Sequence, residues 1–214
     1  MSYQPLVIRT STPTRIKQLL KSVEDHYFRD VHTMLRLPEP DLNLLAACNF
    51  AITQVLAATV SGISVTLYSH TGGAGRRFRS LMEGFYPWSS EPGNAVTPQA
   101  GAEVIYSVIR NPLTHDLGLD LPNHRQGQKI KIKRLAMHNK SRGVSDGFIE
   151  QLEGPVRPTP MSPTVTVRPG ETVVLVEAFY WGIRKMIENL CLDQSRMQAA
   201  DKFLASLSSR QALK

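Results

Sequence analysis

A fixed cation and an imidazole stand close together near the middle of the chain, in the stretch Arg110-Asn111-Pro112-Leu113-Thr114-His115. Arginine keeps its charge at all physiological pH values, whereas histidine is the side chain whose ordinary pKa lies near neutrality. An imidazole can move a proton, and a guanidinium can neutralise negative charge that develops on phosphorus. The stretch therefore carries the groups needed to cleave a phosphodiester without a metal, with Arg110, Asn111 and His115 as candidate catalytic residues.

The proline within this stretch decides whether the pair can act together. On an unbroken helix, residues at this spacing point about 140° apart. Pro112 removes a helical hydrogen bond and disfavours the helical conformation at Asn111. We therefore expect Asn111 to end one helix and cap the next, a break that could turn both side chains toward one cleft or toward a neighbouring subunit. The alternative is that Arg110 pairs with a carboxylate while His115 caps a helix.

The helix that must position Arg110 has a clear beginning. Thr97 followed by Pro98 is typical of an N-cap with proline at the first helical position. The apolar residues Ala102, Ile105, Tyr106 and Ile109 recur at helical spacing and form one side. This spacing predicts that Arg110 extends from the end of a helix anchored by packing.

Other helices are predicted by the same periodicity. Apolar residues from Ile16 to Leu35, Tyr27 among them, predict one long amphipathic helix. Residues 42–68 are uncharged and predict a central buried helix capped by Asp41; a membrane span is the less favoured alternative. A helix from Ala178 to Leu190 places Arg184 and Lys185 outward.

Cys48 and Cys191 are both predicted to be small buried residues without a disulfide, which suits a reducing cytoplasm. No export signal is recognisable.

A basic segment separates the motif from that helix. Between residues 125 and 142 there is no acidic residue, and the basic ones include Lys129, Lys131, Lys133, Arg134, Lys140 and Arg142. Lys129 to Lys133 alternates strictly with isoleucine, which predicts a strand that could pair with residues 164–167. Its lysines could follow a sugar-phosphate backbone or simply protect an edge strand. Residues 172–176 suit either a strand or a buried helix start.

A second basic cluster, Arg76, Arg77 and Arg79, follows the glycine-rich turn Gly72-Gly73-Ala74-Gly75. The turn lacks the lysine of a P-loop and is interpreted as a connection between helices. With 25 Lys and Arg against 18 Asp and Glu, the formal net charge is +7. This charge favours a polyanion as partner, and both basic clusters are candidate RNA-binding surfaces.

The motif and the order of the elements resemble the HEPN superfamily. Its pattern is an arginine, a polar neighbour and a histidine a few residues later, which Arg110, Asn111 and His115 match; the likeness spans roughly residues 14–195. It implies a mainly α fold, an antiparallel helical bundle with a small β-hairpin insertion before the last long helix. We expect one domain over residues 1–214, with 122–171 as a basic insertion and 195–214 as a C-terminal tail or weak helix.

The resemblance also implies a function. Many HEPN domains are metal-independent ribonucleases in which the motifs of two protomers meet, and others are non-catalytic modules that bind RNA or protein. We expect a cytoplasmic homodimer that cleaves RNA at a composite site, without cofactor, metal or membrane. Relatives act in defence or in toxin–antitoxin pairs, so a protein partner or antitoxin is a further expectation. The alternative is a module that binds RNA or a protein without catalysis.

Overall fold

The protein is mainly helical, as the sequence predicts, and it contains a small three-stranded sheet. The structure is a computed structural model that describes residues 3, 5–36, 48–68, 72–111, 129–133 and 162–211. Its α-helices are α1 (Thr14–Val23), α2 (Arg29–Arg36), α3 (Asn49–Thr66), α4 (Ala74–Phe85), α5 (Pro98–Val104), α6 (Val176–Leu190) and α7 (Gln194–Gln211). Its strands are β1 (Lys129–Lys133), β2 (Val165–Arg168) and β3 (Glu171–Leu175).

A π-helical turn, Glu24–Phe28, joins α1 to α2, so the predicted long amphipathic helix is continuous. Ile16 and Val31 are buried as predicted, but Tyr27 is 45% exposed while Phe28 is fully buried. A π-helical turn hydrogen-bonds one residue further along the chain than an α-helix does. The extra residue shifts the buried face by one position, which an α-helical spacing cannot predict.

Helix α3 is the predicted central helix, described from Cys48 onward; its predicted cap Asp41 lies outside the described residues. Its buried hydroxyl groups satisfy themselves locally: Thr53 donates to the carbonyl of Asn49 at 2.7 Å, and Ser64 donates to the carbonyl of Ser61 at 2.7 Å. Within the described ranges, α3 is the one helix long and apolar enough to cross a membrane, and half of it is buried inside the fold.

The sheet differs from the predicted pairing. Strands β2 and β3 form an antiparallel hairpin across Pro169 and Gly170, and β1 lies parallel to β3, giving the order β1-β3-β2. The prediction that residues 129–133 pair with residues 164–167 is therefore wrong. A two-residue connection closes at little entropic cost, and Gly170 supplies the positive φ of 73°.

Strand β3 resolves the ambiguity at residues 172–176, since the strand ends at Leu175 and α6 begins at Val176. Val174 packs in the main core with Ile130 and Ile132 of β1, whereas Val173 and Leu175 form a separate cluster with Ala178. Burial on both faces is typical of a central strand with a continuous apolar run. The apolar run at residues 172–175 is therefore the middle of the sheet.

Arg184 of α6 is buried, although the sequence predicts that it faces outward; its exposed fraction is 3%. Its Nη1 donates hydrogen bonds to the hydroxyl groups of Tyr3, at 2.8 Å, and Tyr180, at 3.2 Å. The guanidinium lies 5.3 to 5.6 Å from the centroids of four aromatic rings, those of Tyr3, Phe28, Tyr180 and Trp181. Cation–π contacts and the two hydroxyl acceptors offset the loss of water around the buried cation.

The segment before α5 is fixed by two buried side chains. Trp88 folds onto the core, and its indole N–H donates to the carbonyl of Met82 at 2.9 Å. The Glu91 carboxylate is 4% exposed and accepts hydrogen bonds from Tyr86 at 3.2 Å and from the backbone N–H and hydroxyl of Thr164. Glu91 thereby ties this segment to the residue that precedes strand β2.

The C-terminal region is a regular helix from Gln194 to Gln211, the second of the two forms predicted for it. Met197 and Ala200 are buried against the rest of the protein, and Arg15 of α1 pairs with Asp201 at 3.3 Å. Cys191, just before this helix, is buried as predicted. Cys48 is exposed, which makes the corresponding prediction wrong: it precedes α3 with a φ of 61° instead of lying inside the helix.

Candidate functional site

The helix that carries Arg110 begins as predicted. The Thr97 hydroxyl accepts a hydrogen bond from the Ala100 N–H at 3.2 Å, and Pro98 occupies the first helical position. Helix α5 then continues into a second π-helical turn, Ile105–Arg110. Ile105 and Ile109 are fully buried in this turn. Arg110 therefore projects from a helical turn that is held by the core.

Three neighbours fix the Arg110 side chain, which is half-buried. Its Nε donates to the Ser61 hydroxyl of α3 at 3.4 Å, and its Nη1 donates to Asn111 Oδ1 at 3.0 Å. Its guanidinium carbon lies 5.7 Å from the centroid of the Tyr106 ring, one helical turn earlier. A planar guanidinium that is stacked and hydrogen-bonded is pre-organised for an oxyanion. The contact with Ser61 crosses between two helices, and the sequence does not reveal it.

Asn111 keeps helical dihedral angles, with φ −66° and ψ −53°, so the prediction that Pro112 forces it out of the helix is wrong. The restriction before a proline is a steric bias, and helices that continue into a proline are its known exception. Pro112 and His115 lie outside the described residues.

One arginine of α4, Arg79, reaches the same place. Arg79 Nε pairs with Glu103 Oε2 at 3.4 Å, and its guanidinium carbon lies 4.6 Å from the Tyr106 centroid. Arg76 is exposed and Arg77 is half-buried; among the described residues, no hydrogen-bond partner reaches the buried Nε of Arg77. One member of the predicted basic cluster thus meets the motif arginine across a shared aromatic ring.

The sequence predicts Tyr106 as part of the apolar side of its helix. It does not predict that the ring contacts Arg79 and Arg110. Its ring also contacts the Phe78 ring, with 5.5 Å between centroids. Its hydroxyl lies against α4 so closely that a Cβ at Gly75 would come within 2.4 Å of it. The available signal was the spacing, since Tyr106 precedes Arg110 by one helical turn and shares its face. The contact with Arg79 depends on how α4 packs on α5, which spacing does not contain.

The glycine-rich turn has a structural explanation at two of its positions. Gly73 is the N-cap of α4, and Gly72 has a φ of 92°, in the region that favours glycine. Ala74 and Gly75 already belong to the helix, where Gly75 makes room for Tyr106. The predicted connection between helices is therefore shorter than the glycine pattern indicates.

The strand lysines lie in a different setting. Lys129, Lys131 and Lys133 fall on β1, an edge strand, and the ammonium of Lys131 forms an ion pair with the Glu171 carboxylate. This hydrogen-bonded pair holds the pKa of Glu171 below its usual value. Part of the strand's positive charge is thus neutralised from within. The remaining predicted cations of this segment, Arg134, Lys140 and Arg142, lie outside the described residues.

Metal ligands do not gather at this site. In the described ranges, no group of three or more His, Cys, Asp and Glu side chains is placed to hold a metal ion. No protein-family model, curated protein or solved structure matches this chain. The chemistry of the site therefore follows from its own residues: a positioned guanidinium, a neighbouring amide and a second arginine, Arg79, on the same aromatic ring.

Proposed function

We propose that this protein is a HEPN-type domain that binds RNA and cleaves it without a metal. The observation that carries the proposal is the fixed Arg110 guanidinium, held by Ser61, Asn111 and Tyr106 on a packed helical turn. The mainly helical fold and the order of its elements support the likeness: long helices first, the Arg110 helix next, then a small sheet followed by a further long helix. The net charge of +7 suits an RNA partner.

The proposed reaction begins at a ribose 2′-hydroxyl. His115 accepts the hydroxyl proton, the 2′ oxygen attacks the adjacent phosphorus, and the bond from phosphorus to the 5′ oxygen breaks. The leaving oxygen takes a proton from the protonated partner subunit's His115, so the products are a 2′,3′-cyclic phosphate and a 5′-hydroxyl. Such proton transfers contribute about 10²–10⁴ in rate. A histidine pair with ordinary pKa values near 6.5 supplies both protonation states near neutrality.

Arg110 acts on the charge that grows during this attack. The phosphorane carries an additional negative charge, and a guanidinium that is already oriented stabilises it without reorganising. Removing one such donor in other enzymes costs about 10²–10³ in kcat. Asn111 positions Arg110 through its amide oxygen, and the α4 arginines hold the RNA backbone beside it.

The deciding experiment is cleavage of a labelled single-stranded RNA by the His115→Ala variant. We expect cleavage to be lost while RNA binding and thermal unfolding are retained, and EDTA to leave the wild-type rate unchanged. His26→Ala serves as the matched control, because His26 is exposed on the first π-helical turn, outside the motif. Cleavage that persists in His115→Ala contradicts the proposed mechanism. Binding without any wild-type cleavage assigns the protein to the non-catalytic RNA-binding modules instead.

A further inference from the structure

Two cations share one aromatic ring at the proposed site. The guanidinium carbons of Arg79 and Arg110 lie 4.6 Å and 5.7 Å from the centroid of Tyr106. Both distances fall within the range of a cation–π contact. The two arginines come from different helices, α4 and the π-helical turn after α5, so the ring is the element that joins them.

Further contacts hold the Tyr106 ring and Arg79 in place. The Phe78 ring packs against it at a tilt of 54°, and its hydroxyl end rests on the backbone of Gly75. Glu103, about two turns before Arg110 on the same helix, forms an ion pair with Arg79 at 3.4 Å. The half-buried ring is thus held by contacts from both helices.

This arrangement bears on how RNA is recognised. Proteins that bind single strands commonly stack bases on exposed aromatic rings, and base preferences follow from such stacking and from hydrogen bonds to base edges. In the described part of the chain, Tyr106 is the aromatic ring that Arg79 and Arg110 contact, so a base that stacked on it would compete with these two contacts. A guanidinium donates its hydrogen bonds within its own plane, so stacking on a ring is compatible with binding a phosphate.

We infer that Tyr106 positions Arg79 and Arg110 as one phosphate-binding unit, and that this unit takes RNA by its sugar-phosphate backbone without stacking its bases. The substrate class is therefore single-stranded RNA of any sequence. This inference rests on the proposed function, because it specifies what the proposed RNA site reads.

The first test compares fluorescein-labelled oligomers of equal length: oligouridylate, oligoadenylate and an abasic ribose-phosphate oligomer. We expect dissociation constants that agree within about threefold, since no stacked base contributes to affinity. Stacking contributes about 1–3 kcal/mol per base elsewhere, so base-dependent binding would favour the base-bearing oligomers by about fivefold or more. That result would overturn the inference and leave the proposed function standing. Failure of every oligomer to bind would overturn both.

The second test changes the ring. Tyr106→Leu should weaken binding of all three oligomers by the same factor, about tenfold, because the loss of a cation–π contact releases two arginines. Tyr106→Phe keeps the ring and should stay close to the wild type. Tyr68→Leu is the matched control. The guanidinium carbon of Arg196 lies 4.3 Å from the Tyr68 centroid, so this ring holds a different arginine from Arg79 and Arg110. If Tyr106→Leu weakens only the base-bearing oligomers, the ring stacks bases and the inference is wrong.

A spectroscopic measurement tests the positioning role without RNA. The aromatic ring current of Tyr106 should displace the NMR signals of the Nε–H groups of Arg79 and Arg110. Both signals should move in Tyr106→Leu, stay in Tyr106→Phe and stay in Tyr68→Leu. Signals that are unchanged in Tyr106→Leu would show that the ring does not hold these arginines, whatever the RNA affinity.

Discussion

Arg110 donates a hydrogen bond from Nη1 to the Oδ1 atom of Asn111 at 3.0 Å, so two adjacent helical residues are joined through their side chains. The contact is possible because Asn111 keeps helical dihedral angles and does not turn away. With Ser61 on the opposite helix, it fixes the direction in which the guanidinium points. The amide of Asn111 is uncharged, and therefore orients the cation without neutralising it.

The first prediction concerns this orientation. Asn111→Ala should lower kcat for RNA cleavage by about tenfold with little change in KM, because a freed Arg110 must be oriented during the reaction. Asn111→Asp should lower the rate further, since a carboxylate would compete with the phosphorane for the same guanidinium. The measurement is single-turnover cleavage at saturating enzyme. An Asn111→Asp variant as active as the wild type would show that Arg110 does not meet the developing charge.

The second prediction is a pH dependence of stability that comes from Glu91. Burial raises the pKa of its carboxyl above the usual value, although the hydrogen bonds from Thr164 and Tyr86 act in the opposite direction. A raised pKa in the folded state means that the folded protein binds the proton more tightly than the unfolded chain. The contribution of Glu91 is then full below its unfolded pKa and is lost as pH rises through its folded pKa.

Urea unfolding at a series of pH values upward from about 4.5 tests this, since ordinary glutamate titrates near 4.3. The wild-type free energy of unfolding should carry a falling contribution that Glu91→Gln lacks. The variant should also be less stable by about 1–3 kcal/mol at low pH, because the glutamine N–H groups would face the donors of Thr164 and Tyr86 and leave hydrogen bonds unmade. Glu83→Gln on α4 is the control. Parallel pH profiles for Glu91→Gln and the wild type would contradict the assignment.

The elements of this fold were predictable where a single helix face decides them. Thr97 and Pro98 predict the start of the Arg110 helix, and its apolar spacing predicts the buried Ile105 and Ile109. The sequence predicts that Tyr27 faces the core, whereas Phe28 is the residue that is buried, because a π-helical turn shifts the buried face by one residue. Nothing in the residue types of that turn distinguishes it from ordinary α-helix.

The contacts that cross between distant segments were not predictable from spacing. The sequence predicts an outward-facing Arg184, because its acceptor Tyr3 lies at the other end of the chain and helical spacing does not reveal it. Arg79 looked like part of a charge cluster, and only the packing of α4 on α5 brings it to Tyr106. The residue types thus indicated which chemistry was available, whereas the tertiary structure decided which groups share a site.

The third prediction compares two helical glycines. The Tyr86 hydroxyl lies so close to α6 that a Cβ at Gly182 would come within 2.0 Å of it, whereas nothing lies within 4 Å of a Cβ at Gly84 on α4. Gly182→Ala should therefore destabilise the protein by about 1–3 kcal/mol, because Tyr86 must leave its place beside Glu91. Gly84→Ala should stabilise it by about 0.5–1 kcal/mol through lower unfolded-state entropy. Denaturant unfolding measures both, and equal effects of the two substitutions would contradict the close approach.

The fourth prediction separates the two basic surfaces by the salt dependence of RNA binding. Each phosphate contact contributes about 0.7 to the slope of log affinity against log salt for a single strand. Among the described residues, no carboxylate forms an ion pair with Arg76 or Arg77. Arg76→Gln and Arg77→Gln should therefore each reduce the slope by about 0.7. Lys131→Gln should reduce it less, because Glu171 already pairs with Lys131.

Fluorescence anisotropy with labelled oligouridylate, titrated at several salt concentrations, measures these slopes. The control is Lys185→Gln, which removes an exposed cation from α6 that pairs with Glu188 at 3.6 Å. It should leave the slope unchanged, since Lys185 already pairs with a carboxylate and belongs to neither basic cluster. If Lys131→Gln flattens the slope as much as the α4 substitutions do, the strand holds RNA as directly as the arginines. The proposed path of the RNA would then have to run along the sheet as well as past Tyr106.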